Sequence, residues 1–326
     1  MSDRVPPRPA PRFETVGFDA YVGPNRLFVE GARPEMETGL APVVFVGGAF
    51  DGSWICRQQL DYWASRGRRA YALNLRGYYR SRARGIARLT HLDYLDDILA
   101  VRRRFRLEDA VYAGYSIGGL LVQKLAELHG ARALVLYDSD WPREVARMNG
   151  ERPRRDVLPP PVMNFWPDRA VVEEMLGRPP GPAEFNALVS LFAQSYLSGR
   201  AYREIEIERV EIDARRVTCP VLAICISARD RAQAALAGFY GASRLIFEGY
   251  THGSILISRF HGPITRRVTE WMEAGFPRGV TRTYRFKEAT VEETRRNAAR
   301  LHYYSGWTEP RVHVCTRRGQ ELAQVP

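Results

Sequence analysis

The sequence has 326 residues, of which 45% are hydrophobic and 26% are charged. This balance is typical of globular proteins and excludes a disordered or fibrous chain. The formal net charge is +11, but the arginines are scattered and are not interleaved with exposed aromatic residues, so we expect no nucleic-acid partner. The longest apolar runs, such as residues 41–50 and 221–226, are far shorter than the roughly 20 residues of a membrane span, so we expect no membrane partner either.

The beginning of the chain and its cysteines indicate where the protein works. Residues 1–12 are rich in proline and arginine and lack the apolar stretch of a secretory signal, so they predict a flexible leader. The four cysteines match no zinc-binding spacing. They therefore indicate reduced thiols in a cytoplasmic protein, and we expect neither a metal nor a cofactor.

A hairpin opens the predicted fold, and strands then alternate with helices. Residues 13–31 alternate apolar and polar side chains around Gly23-Pro24-Asn25, a pattern that predicts two antiparallel strands. Short apolar strands are predicted at residues 42–48, 69–75, 109–115 and 133–137, with helices at 53–66, 92–105 and 116–129. Such alternation is typical of an α/β fold with a mostly parallel sheet and helices on both of its faces.

The alternation stops at residue 140 and resumes near residue 219. A segment of nearly 80 residues is too long for an ordinary connection, and its helical stretches at 169–176 and 183–198 predict a helical cap. The sheet then continues at 221–226 and 244–248, with helices near 231–240 and 258–274. The predicted organisation is a core of residues 13–140 and 219–276, a cap of residues 141–218 and a C-terminal extension of residues 277–326.

The extension contains a further predicted helix at 290–301 and a strand at 311–315. We expect it either to form a homodimer contact or to cover an edge of the sheet.

Gly114-Tyr115-Ser116-Ile117-Gly118 carries the strongest chemical signal, because it follows a predicted strand and opens a predicted helix. A serine on such a sharp turn projects its hydroxyl group above the sheet, and the flanking glycines remove Cβ atoms that would clash there. We therefore expect Ser116 to be a nucleophile. The alternative is a serine that only caps the helix.

A nucleophilic serine needs a histidine base and a carboxylate that orients the histidine. His252 follows the last predicted core strand and so lies at the same sheet edge as Ser116, which makes it the expected base. Asp230 follows the strand at 221–226 and is our first choice for the acid. Asp138, directly after the strand at 133–137, is the alternative.

The negative oxygen that forms during acyl transfer needs two hydrogen-bond donors. The N–H of Ile117 is one expected donor. The other is expected in Gly47-Gly48-Ala49-Phe50, where we favour the N–H of Ala49 over that of Phe50. The residues that we expect to contact the substrate are Phe50, Tyr115, Trp141 and Trp166.

Together these motifs, over residues 40–275, resemble the α/β-hydrolase superfamily. The turn at Ser116, the order Ser–Asp–His and the inserted cap all agree with it. In this superfamily the loop that holds the oxyanion usually begins His-Gly, whereas here it begins Gly47-Gly48. Asn74-Leu-Arg-Gly77 is similar to the superfamily's Asp-x-Arg-Gly stretch, in which we expect Arg76 and Gly77 to have structural roles.

The resemblance implies a serine hydrolase that cleaves a small ester or thioester through an acyl-enzyme on Ser116. Two alternatives remain open at this point. One is a lactonase, a carbon–carbon hydrolase, or a cyclase or lyase of natural-product biosynthesis with the same triad. The other is a non-catalytic ligand receptor on the same fold.

Overall fold

The computed structural model of the protein describes residues 13–152, 156–257 and 261–285. The predicted leader and the predicted elements at 290–301 and 311–315 lie outside these residues. The hairpin is confirmed: β1 (Thr15–Val22) pairs antiparallel with β2 (Leu27–Pro34). The backbone reverses at Gly23 and Arg26, which both have positive φ angles, of 64° and 47°.

A nine-stranded sheet forms the centre of the described structure, and most of its neighbouring strands run parallel. After the hairpin its strands are β3 (Val43–Val46), β4 (Ala70–Leu73), β5 (Val111–Tyr115), β6 (Ala133–Tyr137), β9 (Val221–Cys225), β10 (Ser243–Glu248) and β11 (Thr281–Arg285). Their order across the sheet is β1-β2-β4-β3-β5-β6-β9-β10-β11. This is the mostly parallel α/β sheet that the sequence predicts.

Helices cover both faces of this sheet, which explains why its inner strands are apolar at every position. In β3, Val44 and Val46 pack into one hydrophobic cluster, and Val43 and Phe45 pack into another. The core helices are α1 (Arg57–Ser65), α2 (His91–Phe105), α3 (Ile117–His129), α8 (Arg231–Tyr240), α9 (Ser254–Ile257) and α10 (His261–Glu273).

The segment between β6 and β9, which we call the insertion, is largely helical. It contains α4 (Arg143–Met148), β7 (Val162–Asn164), α5 (Arg169–Leu176), α6 (Pro182–Phe192), β8 (Tyr196–Ser198) and α7 (Gly199–Tyr202), followed by a π-helical turn at Arg203–Ile207. One prediction here was wrong, because the second helix ends at Phe192 instead of residue 198. The side-chain amide of Asn164 donates to the carbonyls of Ala193 and Ser195, and β8 pairs with β7.

The first part of the predicted extension belongs to the sheet. Strand β11 runs parallel to β10, with Phe247 opposite Tyr284 and their rings stacked at 5.0 Å. Residues 281–285 therefore cover one edge of the sheet, as one of the two predictions for the extension requires. The homodimer contact stays a prediction.

Candidate active site

Ser116 lies at the sharp turn between β5 and α3, and its backbone is strained. Its φ and ψ angles are 52° and −125°, a conformation that residues with a Cβ atom rarely adopt. The turn depends on its glycines: a Cβ on Gly114 would lie 2.5 Å from the carbonyl oxygen of Gly118, and one on Gly118 would lie 2.3 Å from that of Gly47. The sequence therefore places Ser116 on the tight strand-to-helix turn that its motif predicts.

His252 lies in the loop between β10 and α9, beside this turn. Its ring stacks on the ring of Tyr115 with centroids 4.7 Å apart, and the Tyr115 hydroxyl donates to the His252 carbonyl at 2.8 Å. Because Tyr115 directly precedes Ser116, these two contacts bring His252 against the residue next to the serine.

A carboxylate orients this imidazole, but it is not the one that we placed first. The Oδ2 atom of Asp138 lies 2.6 Å from Nδ1 of His252. The carboxylate of Asp230 instead accepts the N–H of Gln233 at 3.0 Å and caps the N-terminus of α8. The structure thus corrects the choice of acid from Asp230 to Asp138, the alternative.

The pairing of β5 with β6 explains the position of Asp138. Tyr115 and Tyr137 are partners in the parallel register, so the residues that follow them leave the sheet side by side. The N–H of Ser116 donates to the carbonyl of Tyr137 at 3.2 Å, and Asp138 has a positive φ angle of 38°. Ser116 and Asp138 therefore follow paired positions of adjacent strands.

The charge around His252 favours its protonated form. Burial lowers the pKa of His252, but the hydrogen bond to Asp138 and the negative charges of Asp138 and Asp140 outweigh this effect, and Asp51, when ionised, raises the pKa further. The net result is a pKa above the ordinary value of histidine. With Nδ1 bonded to Asp138, the neutral ring carries its proton there, so Nε2 is the nitrogen with the basic lone pair.

The two N–H groups that we expect to hold the oxyanion lie in the loop after β3 and at the start of α3. In the described part of the chain, no hydrogen bond within the protein uses the N–H of Ala49 or that of Ile117. The N–H of Gly48, in contrast, donates to the Asp51 carboxylate at 2.7 Å. A Cβ on Gly48 would lie 3.0 Å from Cβ of Ser116, so this loop packs directly against Ser116.

Comparisons with known proteins agree with this architecture. A family model described as alpha/beta hydrolase fold matches residues 41–167. The chain has the α/β-hydrolase fold. Solved structures extend the likeness beyond the family match. An epoxide hydrolase from Vigna radiata has a TM-score of 0.56 and 16% identity, and the match covers 80% of this chain and 99% of the other.

Two other structures of this hydrolase fold are similar to the chain. A carboxylesterase from Bacillus subtilis has a TM-score of 0.55 and 15% identity, and the match covers 80% of this chain and 93% of that one. A thioesterase domain from the curacin biosynthetic pathway has a TM-score of 0.52 and 14% identity, with 78% and 99% covered. No curated protein sequence matches this chain. At these identities the likeness establishes the fold.

Aromatic side chains connect the insertion to the loop after β3, residues 47–51, which we call the oxyanion loop. The ring of Phe50 stacks on that of Phe165 at 5.7 Å, Phe165 contacts Phe192 at 5.4 Å, and Phe192 contacts Trp54 at 4.9 Å. Phe50 and Phe192 are each 2% exposed. The insertion therefore packs its apolar side against the loop next to Ser116.

The two tryptophans proposed for substrate contact, Trp141 and Trp166, differ in their surroundings. Trp141 is partly buried, and the Arg209 guanidinium lies 4.7 Å above its ring. Trp166 is 43% exposed. Their role in substrate binding stays a prediction.

The structure adds two carboxyl groups that sequence reasoning missed. Asp51 is 3% exposed in the oxyanion loop, and Glu174 of α5 hydrogen-bonds Thr251, the neighbour of His252. Burial raises the pKa of each carboxyl group to about 7, against the lowering effect of hydrogen bonds and of the His252 charge. The position of Asp51 directly after Gly47-Gly48-Ala49-Phe50 was the available signal. No pattern in the sequence around Glu174 indicated that it would lie near His252.

The described residues contain no group of three or more histidine, cysteine, aspartate or glutamate side chains that could hold a metal ion. Among the helices of the same residues, none has the length and apolar character needed to cross a membrane.

Proposed function

We propose that this protein is a serine hydrolase that cleaves a small carboxylic ester or thioester through an acyl-enzyme on Ser116. The observation that carries the proposal is the hydrogen bond of 2.6 Å between His252 and Asp138, next to a serine on a strained turn. A serine hydroxyl is a poor nucleophile at neutral pH, and an oriented imidazole beside it is the arrangement that makes it reactive.

The first half of the reaction forms the acyl-enzyme. Oγ of Ser116 attacks the carbonyl carbon while Nε2 of His252 takes the hydroxyl proton, and Asp138 stabilises the imidazolium that results. The carbonyl oxygen becomes negative and accepts hydrogen bonds from the N–H groups of Ala49 and Ile117. Each such donor contributes a factor of about 10² to 10³ to the rate in comparable sites. The imidazolium then returns the proton to the departing alkoxide or thiolate.

The second half releases the acid. A water molecule gives its proton to Nε2 of His252 as its oxygen attacks the acyl carbon, and the bond between that carbon and Oγ of Ser116 breaks. Ser116 recovers its proton from His252. The site needs no other group for this cycle.

The choice of bond is supported by the solved structures with this fold. Two of them are named as a carboxylesterase and a thioesterase domain, whose reactions both proceed at an acyl carbon. The packing of the insertion over the oxyanion loop supports a role as a cap that shields the substrate from water.

The test uses a set of p-nitrophenyl esters and acyl thioesters of increasing chain length, with Ser116→Ala as the inactive variant. We expect cleavage by the wild type, no cleavage above background by Ser116→Ala, and labelling of Ser116 by a fluorophosphonate probe. Ser190, which is exposed in α6, provides the control, since Ser190→Ala should keep both properties. Cleavage that survives Ser116→Ala would contradict the proposal and favour a lyase that uses His252 alone.

A further inference from the structure

Asp51 is an acidic residue in a position where negative charge opposes the proposed reaction. It lies in the oxyanion loop, it is 3% exposed, and its Oδ2 atom accepts the N–H of Gly48 at 2.7 Å. Its backbone carbonyl accepts the hydroxyl of Ser195 from the insertion at 2.8 Å. The residue is therefore fixed both to the loop and to the segment that covers it.

Gly48 shows how close the Asp51 carboxyl group is to the nucleophile. The position of a Cβ on Gly48 lies 3.0 Å from Oδ2 of Asp51 and also 3.0 Å from Cβ of Ser116. The carboxyl group and the serine thus pack against the same point of the backbone. Ala49, whose N–H is an expected oxyanion donor, is the next residue along the chain.

The effect of this proximity on the reaction depends on whether Asp51 and the groups around it are charged. Among the residues that the structure describes, the titratable groups that interact electrostatically with Asp51 are His252 from the loop after β10, Cys56 from the turn before α1, and Tyr78 from the loop after β4. Burial raises the pKa of Cys56 and of Tyr78 well above their usual values, so both stay neutral. His252 is itself surrounded by carboxylates, including Asp138 and Asp140.

An ionised Asp51 would add a negative charge beside the oxyanion that forms on the substrate, in a buried place where water screens it poorly. A protonated Asp51 avoids this repulsion and still accepts the hydrogen bond of Gly48 through Oδ2. We propose that Asp51 is a positioning residue that holds the oxyanion loop through Gly48 and must be uncharged for cleavage at Ser116. This inference rests on the proposed function.

The expected consequence is an activity that falls at alkaline pH. Burial of the Asp51 carboxyl group raises its pKa to about 7, so its protonated fraction falls about tenfold per pH unit above that value. Neutralisation of His252 increases activity over a neighbouring range, which gives a bell-shaped profile of kcat/KM.

The test compares wild type, Asp51→Asn and Asp51→Ala from about pH 5 to about pH 9. Asparagine keeps an acceptor for Gly48 but cannot ionise. We expect Asp51→Asn to lose the alkaline decline and to exceed wild type at the high end of this range. Asp51→Ala should lower kcat across the whole range with little change in KM, because it removes the acceptor. Asp96→Asn, an exposed aspartate in α2, is the matched control and should leave the profile unchanged.

A second measurement detects the protonation of Asp51 through protein stability, in the absence of substrate. Because the folded-state pKa of Asp51 is raised, its contribution to stability is present at low pH and is lost as the pH rises toward about 7. The unfolding free energy of wild type relative to Asp51→Asn, measured with urea, should therefore fall between about pH 4 and about pH 7. A pH-independent difference would overturn the inference.

The outcomes separate this inference from the proposed function. Wild type that cleaves esters through Ser116, with Asp51→Asn showing the same alkaline decline, overturns the inference alone. Loss of activity in Asp51→Asn at every pH also overturns it, because it would show that the ionised carboxylate is needed. A wild type that cleaves no ester and is not labelled at Ser116 overturns the proposed function and the inference together.

Discussion

His252 and Asp138 are 114 residues apart in the chain, yet Nδ1 of the histidine lies 2.6 Å from Oδ2 of the aspartate. The side chain of Asp138 is 10% exposed and that of His252 is 26% exposed. The carboxylate is therefore shielded from water, while part of the histidine stays accessible. This relationship follows from the sheet, because β6 delivers Asp138 next to the turn that follows β5.

Asp138→Asn should therefore lower kcat by about 10⁴-fold, because the amide no longer selects the imidazole tautomer that accepts the Ser116 proton. Asp230→Ala should keep most of the activity and destabilise the protein by about 1 kcal/mol, since it removes the N-cap of α8. Initial rates on an activated ester and unfolding in urea measure the two effects. If Asp230→Ala were the inactive variant and Asp138→Asn the active one, our assignment of the acid would be wrong.

The raised pKa of His252 predicts the acid side of the pH profile. The base must be neutral to accept a proton, so kcat/KM should rise with pH through a midpoint above about 6.5, the ordinary value for histidine. Asp138→Asn removes a hydrogen bond and a charge that raise this pKa, and burial then lowers it. The midpoint of its residual activity should shift to lower pH. The rate of fluorophosphonate labelling at Ser116 gives an independent profile, and an unshifted midpoint would contradict the role of Asp138.

Local patterns predicted the core of the fold well, because apolar strands and periodic helices are properties of short segments. The strand at 133–137 and the helix at 169–176 have their predicted bounds. The errors come from contacts distant in sequence. Tyr196–Ser198 is a strand only because β7 pairs with it. Thr281–Arg285 has a mostly polar sequence, and it is a strand because it pairs with β10.

The same distinction applies to the site. Ser116 and His252 were predicted from their own neighbours in the sequence, namely a glycine-rich turn and a loop after a strand. The acid depends on which strands are adjacent, and Asp138 and Asp230 both follow strands in the sequence. In the structure Asp230 has a different role, since its carboxylate accepts the N–H of Gln233 at the start of α8. The sequence also gave no sign that α5 would bring Glu174 to Thr251.

Arg76 should contribute to stability through its ion pair with Asp97. Its Nε lies 2.7 Å from Oδ1 of Asp97, whose side chain is 1% exposed, and its backbone N–H donates to the other oxygen at 2.8 Å. Arg76→Leu leaves that carboxylate buried without its cation and should destabilise the protein by about 3–5 kcal/mol.

Arg57 offers the control for this prediction. Its pair with Glu30 has the same length of 2.7 Å, but the Arg57 side chain is 53% exposed. Arg57→Leu should therefore cost at most about 1 kcal/mol. If both variants lost the same free energy of unfolding in urea, burial would not determine how much these ion pairs stabilise the protein.

Gly118 should tolerate no side chain, because the oxyanion loop and the turn at Ser116 meet at this residue. A Cβ there would lie 2.3 Å from the carbonyl oxygen of Gly47 and 2.4 Å from that of Val46. These are backbone atoms of β3 and of the loop after it, so the strain cannot be relieved by a side-chain rotation. Gly118→Ala should destabilise the protein by at least about 1–3 kcal/mol and displace Ile117, an expected oxyanion donor.

The measurements are thermal unfolding and the rate of fluorophosphonate labelling at Ser116, with Gly181→Ala as the control. Gly181 has a φ angle of −67° and no atom within 4 Å of the added Cβ, so its variant should resemble wild type in both. The labelling rate of Gly118→Ala should be reduced even at temperatures where the variant is folded. The reason is that the serine and the expected donors lose their mutual alignment before the fold is lost. A folded Gly118→Ala that is labelled as fast as wild type would mean that the loop after β3 can move away without affecting the nucleophile.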